Sequence, residues 1–148
     1  MIGYEFSNLD KVLGTLKRYD QGLESLIPMW ELFAKEFHGQ ETTWFDRAQF
    51  APLTPAYARR KQEQFGSKPI LRAMDDLFRS FTQQGAPGNI HDISPLSAVF
   101  GSSDFKAMFH QKGTVVMPAR PPLAEPDTSR YQTIAGEYLA EMVARATN

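Results

Sequence analysis

The chain has 148 residues, with 16 Lys and Arg against 17 Asp and Glu, and so carries a net charge of −1 at pH 7. This length and a 42% hydrophobic, 12% aromatic composition suit a single domain over residues 1–148 with one core. A charge this close to zero does not favour general nucleic-acid binding. The absence of cysteine excludes disulfides, thiolate catalysis and cysteine-bound zinc within these residues. We expect neither a membrane span nor a secretory signal, because the sequence has no long apolar run and no basic start.

Apolar side chains recur with heptad spacing in the first third of the chain. The repeat consists of Leu9, Leu16, Leu23, Trp30 and Phe37, with Val12, Tyr19, Leu26 and Phe33 three positions after the first four. The spacing predicts a long N-terminal helix within residues 1–38, about 45 Å from residue 7 to residue 38. Gly22 and Pro28 predict a kink or two helices in register. The stripe either packs on the chain's own sheet or forms a seam between subunits, with Leu9, Leu16, Leu23, Trp30 and Phe37 as interface candidates.

Residues 39–69 are predicted to form a loop followed by a short helix. Thr54 is a suitable N-cap and Pro55 a suitable first helical residue, while Gly66 ends the helix. This helix carries Arg59, Arg60 and Lys61, which form either a solvated face or a phosphate-binding surface.

The segment 70–126 is predicted to hold strands and a proline-rich arm. The predicted strands cover residues 77–84, 88–94, 96–102 and 114–117, and a short helix opened by Ser103 or Asp104 runs to Gly113. Apolar residues at helical spacing predict a C-terminal helix within 127–148. The fold class is therefore α+β, with the long N-terminal helix and the C-terminal helix packed on a small, mostly antiparallel sheet.

Residues with catalytic chemistry do not form a known constellation. His38, His91 and His110 lack metal-ligand spacing, and the sequence has no nucleophile elbow or nucleotide-binding glycine loop. A hydrolase built on His91, Asp92 and Asp75 is disfavoured, because adjacent residues on a strand point to opposite faces. We expect no enzymatic activity, no cofactor and no metal.

The proline arm, defined as residues 117–123, has the sequence Met-Pro-Ala-Arg-Pro-Pro-Leu. Its prolines fix their own backbone angles and hold the preceding residues extended, so the arm is stiff and carries one guanidinium. It is either a rigid loop whose Arg120 pairs with a carboxylate, or an arm that docks on a neighbouring subunit. In the second case Gln111, Pro118, Arg120 and Pro121 are subunit-interface candidates.

An ordered series of motifs connects these segments. It consists of Trp44, Pro52-Leu53-Thr54-Pro55, Lys61, Ile70-Leu71, Leu77, Ser80, His110-Gln111-x-Gly113 and Pro-Ala-Arg-Pro at 118–121. In this order and spacing the chain resembles the phage virion morphogenesis family, which includes the tail-completion proteins of Mu-like phages and prophages. It departs from the family pattern at Pro122 and Ala124, and it lacks the family's glycine after Ile70-Leu71.

The resemblance implies a non-enzymatic structural protein that completes the tail or joins it to the head. Such a protein is expected to form a homo-oligomeric ring, of six copies if it follows tail symmetry. Its expected partners are tail-tube, terminator or head–tail connector proteins, and its expected location is the virion tail or neck, after assembly in the host cytoplasm. The alternative is a DNA-binding neck module that uses Arg59, Arg60 and Lys61.

Overall fold

A computed structural model describes residues 2–6 and 25–146 of the chain. Its elements are β1 (Ile2–Phe6), α1 (Ile27–Arg47), α2 (Pro55–Phe65), α3 (Asp76–Thr82), β2 (Asn89–Ser94), β3 (Ser97–Ser102), α4 (Phe105–Lys112) and α5 (Thr128–Ala146). The described strands form a three-stranded antiparallel sheet in the order β1-β3-β2. The predicted α+β class is confirmed.

One face of the sheet is covered by α1 and α3. The central strand β3 buries Ala98, Phe100 and Ser102 on that side. Because side chains alternate along a strand, Val99 points to the opposite face. The register places Glu5 of β1 and Asp92 of β2 on either side of Val99.

The core is an aromatic cluster between α1, the sheet and α5. The ring of Phe6 lies 4.9 Å from the ring of Phe33 and 4.9 Å from that of Tyr131, measured between centroids. Phe37 stacks on Phe100 at 5.9 Å. Edge-to-face and offset ring contacts of this kind add to the hydrophobic stabilisation of a core.

The long N-terminal helix is present in its described part, and it packs on the chain's own sheet. Leu26, Trp30, Phe33 and Phe37, the heptad positions within the described residues, are all buried in the core. Trp30 and Phe37 are 0% exposed, which corrects their prediction as interface residues. Leu9, Leu16 and Leu23 lie outside the described residues.

The bounds of the N-terminal elements differ from the prediction. Ile2–Phe6 is a strand, and α1 begins at Ile27 with Pro28 in its first turn, where a proline removes no hydrogen bond. The helix also continues to Arg47, through the segment predicted as a loop. It does so because Glu41 and Phe45 extend its buried face.

Most of the remaining elements agree with the prediction. The α2 helix begins after Thr54, whose Oγ1 accepts a hydrogen bond from the backbone N–H of Tyr57 at 3.4 Å. Gly66 ends it, and β2, β3, α4 and α5 lie where the sequence placed them.

Two of the predicted strands are wrong. The segment predicted as a strand at 77–84 forms α3, because Leu77, Ser80 and Phe81 have the spacing of one helical face and are buried together. The segment 114–117 is a turn, in which the N–H of Thr114 donates to the carbonyl of Met117 at 2.8 Å. It pairs with no strand of the described sheet.

Candidate functional site

Arg120, the only charged residue of the proline arm, is used inside the chain. Its side chain is 5% exposed, and its Nε and Nη2 donate to the carbonyl oxygens of Ala51 and Pro52 at 2.6 and 2.7 Å. Its backbone N–H donates to the carbonyl of His110 at 2.8 Å. Both predictions for Arg120 are corrected, since its partners are main-chain carbonyls rather than a carboxylate or a second subunit.

Further hydrogen bonds hold the rest of the proline arm. Trp44 Nε1 donates to the carbonyl of Pro121 at 2.8 Å, and the N–H of Leu123 donates to Oε1 of Gln111 at 3.1 Å. Gln111 and Pro121 are half-buried and Pro118 is exposed. Of the interface candidates in this region, Pro118 is therefore the most accessible.

A buried carboxyl fixes the chain just beyond the proline arm. Glu41 is 0% exposed, and its Oε1 accepts a hydrogen bond from the N–H of Ala124 at 3.2 Å. Tyr4 donates its hydroxyl proton to the carbonyl of Ala124. Burial raises the pKa of Glu41 to about 8, against the smaller lowering effect of the bond to Ala124. Glu41 is therefore largely protonated at neutral pH and adds little charge to the core.

The close approach of the proline arm to α4 requires a glycine. Gly113 follows α4 with a φ of 73°. A Cβ at this position would lie 2.8 Å from the backbone nitrogen of Ala119. Both the left-handed backbone and this distance exclude a larger residue without local rearrangement.

The α4 helix differs from the proline arm, because its large apolar side chains face outward. Ala107 is 0% exposed, whereas Phe105, Met108 and Phe109 are 72%, 47% and 54% exposed. The rings of Phe105 and Phe109 meet edge to face at 6.4 Å. In the adjoining turn, Val115 and Val116 are fully exposed or nearly so. These five residues, Phe105, Met108, Phe109, Val115 and Val116, are named the α4 patch.

Large apolar side chains exposed in this way on one helix and the turn after it are typical of protein–protein contact sites. The prediction from sequence placed a helix here but did not identify the surface. The signal that could have found it is the composition of α4, in which Phe105, Met108 and Phe109 share one face and the small Ala107 lies opposite. A helix packed through its small residue leaves its large ones in solvent.

The three basic residues predicted to contact nucleic acid differ in their exposure. Arg59 and Arg60 are exposed on α2. Lys61 is 6% exposed and its Nζ donates to the carbonyls of Lys68 and Pro69, so it is unavailable to a phosphate. Burial also lowers its pKa. The prediction of Lys61 as a nucleic-acid contact is corrected.

The proposed hydrolase residues do not come together. His91 lies on the face of the sheet covered by α1, with Nε2 3.7 Å from Oε2 of Glu31. Asp92 points to the opposite face, and Asp75 accepts a hydrogen bond from Arg72 Nε at 2.8 Å, which lowers its pKa. These residues form no nucleophile–base arrangement.

Two half-buried histidines lie side by side next to the core. The rings of His38 and His91 are 6.0 Å apart, and burial, then the charge of His91, lowers the pKa of His38. Within residues 2–6 and 25–146, no group of three or more His, Asp or Glu side chains is arranged to hold a metal ion. No described helix is both long and apolar enough to cross a bilayer.

An open groove of about 660 Å³ lies between α2, the segment 70–77 and the proline arm. Its walls include Tyr57, Met74, Leu77 and Met117. Burial and the charge of Arg120 lower the pKa of His110, which also lines the groove. The groove combines these apolar side chains with charged ones, among them Arg60, Asp76 and Lys106. Asp75, which also lines it, accepts a hydrogen bond from Arg72.

No protein-family model, no curated protein and no solved structure matches this chain. The phage resemblance thus rests on the motif residues, and the structure gives those residues a shared role. Trp44, Lys61, Gln111 and Arg120 all bind main-chain groups within the chain. Ser80 is fully buried, with its Oγ 2.6 Å from Oγ of Ser102. These five motif residues therefore hold the framework of the chain itself together.

Proposed function

We propose that this protein is a structural subunit of a phage or prophage virion, which completes the tail or joins it to the head by self-association into a ring. The α4 patch is the observation that carries the proposal. Burying three large apolar side chains of α4 at a contact would contribute roughly 1.5–3 kcal/mol for each side chain fully buried. The monomer, in which these side chains are 47–72% exposed, obtains only part of this stabilisation.

The proposal is also supported by the chemistry of the interior. The polar groups buried near the arm, Glu41 and Arg120, bind main-chain atoms of their own chain. This arrangement makes a rigid subunit with a fixed surface, as assembly requires. The motif order of the sequence then favours a phage tail or neck over other assemblies, with tail-tube, terminator or connector proteins as partners.

The DNA-binding alternative is less well supported. Only Arg59 and Arg60 of the three proposed contacts are exposed, because Lys61 binds carbonyls of its own chain. Two exposed arginines on a near-neutral protein give a weak and strongly salt-dependent contact. DNA binding that survives moderate salt would favour this alternative.

The first experiment is light scattering coupled to size exclusion over a wide range of protein concentrations, followed by negative-stain microscopy. We expect a discrete oligomer with a closed outline at high concentration. The double variant Phe105→Ser/Phe109→Ser should remain monomeric. Leu32→Ser is the matched control, since Leu32 is 47% exposed like Met108 but lies on α1.

A second experiment tests the phage role itself. In cells that produce the virus or prophage encoding this chain, the Phe105→Ser/Phe109→Ser variant should leave heads and tails separate or tails unfinished. The Leu32→Ser control should give normal particles. Normal particles with the double variant would contradict the proposal.

A further inference from the structure

We infer that the α4 patch of one copy packs on the open face of the sheet of a second copy, so that the contact between subunits is head-to-tail. This inference rests on the proposed self-association and names the two surfaces involved. Helix-on-sheet packing is one of the basic layer arrangements of proteins. The contact would give the sheet a helical layer on the face that, among residues 2–6 and 25–146, α1 and α3 leave uncovered.

The open face of the sheet has an apolar centre with acidic flanks. Glu5 and Asp92 are exposed and lie on either side of Val99 in the antiparallel register. Ile90, beside Asp92 on the same face in the next register row, is partly exposed. Within the described residues, no ion pair involves Glu5 or Asp92. Two carboxylates at a partly apolar surface favour a partner that carries cations.

The α4 helix has the complementary pattern. Its apolar side chains are accompanied by Lys112, which is exposed, and by Lys106, whose side chain is 40% exposed. Asp104, which lies 3.4 Å from Lys106, is the acidic residue at the start of this helix, and its side chain is 13% exposed. The α4 helix itself therefore has an excess of basic side chains, although Asp75 and Asp76 line the groove that Lys106 and Val116 also line. The open face of the sheet is acidic.

This distribution of charge selects between the two ways that copies could associate. A two-fold contact between α4 patches would place lysines against lysines, and one between sheet faces would place carboxylates against carboxylates. A contact of α4 with the sheet pairs opposite charges and buries apolar groups from both sides. Because the contact joins two different surfaces, one copy of a pair keeps its sheet face unused and the other keeps its α4 patch unused. Further copies can therefore add, and the chain of contacts can close into a ring.

Mixing two variants tests the inference. Phe105→Ser/Phe109→Ser removes the α4 surface and Glu5→Lys/Asp92→Lys reverses the sheet surface, each leaving the other intact. We expect each variant alone to be monomeric at concentrations where the natural chain assembles. An equimolar mixture should form a dimer of one copy of each, measured by light scattering, because one complementary contact remains.

Melting curves by circular dichroism check that both variants fold. Lys35→Glu, at an exposed position of α1, is the charge-reversal control and should leave the mass of the oligomer unchanged. A rescue variant combines Glu5→Lys/Asp92→Lys with Lys106→Glu/Lys112→Glu in one chain and should assemble again.

The possible failures are distinct. If the natural chain assembles but the mixture stays monomeric, the head-to-tail contact is wrong and the proposed function stands. If either double variant assembles as the natural chain does, the corresponding surface is not in the contact and the inference is wrong. If the natural chain is monomeric at every soluble concentration, both the inference and the proposed self-association are contradicted.

Discussion

The proline arm and the α4 patch are neighbours in the chain, yet their side chains have opposite environments. The arm resembles a docking device in sequence, with three prolines and an arginine, but Arg120 and Pro121 bind groups of their own chain. The sequence of the α4 patch is that of an ordinary short helix and turn, but its aromatic side chains are exposed to solvent. The stiff, charged proline arm is thus a structural brace within the chain, and the surface proposed for contact lies on the element before it.

The difference has a physical cause. Arg120 can be buried because its guanidinium meets two carbonyl oxygens, of Ala51 and Pro52, that otherwise have no donor in the loop before α2. The proline arm therefore connects the loop before α2 with the C-terminal half of α4, through the bond to the carbonyl of His110. Held in this way, α4 turns Ala107 inward and presents its large side chains outward.

The largest expected effect on stability comes from a substitution in the proline arm. Arg120→Ala removes two charge-assisted hydrogen bonds, made by a buried guanidinium to the carbonyls of Ala51 and Pro52, which should lower the free energy of unfolding by about 3 kcal/mol. Urea denaturation measures it, and Arg59→Ala, an exposed arginine of α2, should change the same quantity by less than about 0.5 kcal/mol. An Arg120→Ala protein of unchanged stability with a lost oligomer would instead place Arg120 at the subunit contact.

A pH-dependent effect is expected from Glu41, at the end of the arm. Its pKa rises from 4.5 to about 8 on folding, so between these values the folded chain holds a proton that the unfolded chain has lost. The free energy of unfolding should therefore fall as pH rises through this window, by at most about 1.4 kcal/mol per pH unit.

Glu41→Gln provides the control, since its amide oxygen can still accept the bond from Ala124. The free energy of unfolding of Glu41→Gln minus that of the natural chain should increase between pH 5 and pH 9. The contributions of His38 and His110 cancel in this difference, because both proteins contain them. A constant difference would show that Glu41 does not titrate in this range.

A smaller effect is expected from Lys61. Lys61→Met keeps the apolar stem but removes the two bonds to the carbonyls of Lys68 and Pro69, and should lower the free energy of unfolding by about 1 kcal/mol. DNA binding by filter retention should be the same for Lys61→Met and the natural chain. Weaker DNA binding by a variant of unchanged stability would return Lys61 to the nucleic-acid alternative.

The smallest effect on stability is expected at the α4 patch. Because Phe109 is 54% exposed, Phe109→Ser should change the free energy of unfolding of the dilute monomer by less than about 1 kcal/mol. The same substitution should weaken self-association, measured by sedimentation equilibrium. A large loss of stability in the dilute protein would mean that Phe109 belongs to the core of its own chain.

Much of the fold follows from local signals in the sequence. Thr54 and Pro55 specify the start of α2, and the antiparallel pair β2–β3 follows from alternating residues between turn signals. The errors occur where local patterns are ambiguous. Leu77 and Phe81 fit one face of a helix and alternate positions of a strand equally well, and only packing against the sheet decides between them.

The site was harder to predict, because burial depends on partners that are distant in sequence. The carbonyls that bind Arg120 lie at positions 51 and 52, and no pattern around the arginine points to them. Likewise, the spacing of Phe105, Met108 and Phe109 indicates one apolar face but does not say whether that face meets a core or solvent. Gln111 and Arg120 were predicted as subunit-interface candidates, whereas both, like Trp44 of the motif series, bind the arm to the rest of their own chain.

Hydrogen exchange measured by mass spectrometry, at low and at high protein concentration, tests most directly that the α4 patch is the contact surface and the proline arm an internal brace. Peptides covering residues 105–117 should gain protection at high concentration, while those covering 118–123 should exchange alike at both. Protection gained in the proline arm but not in α4, or no change anywhere, would contradict the account.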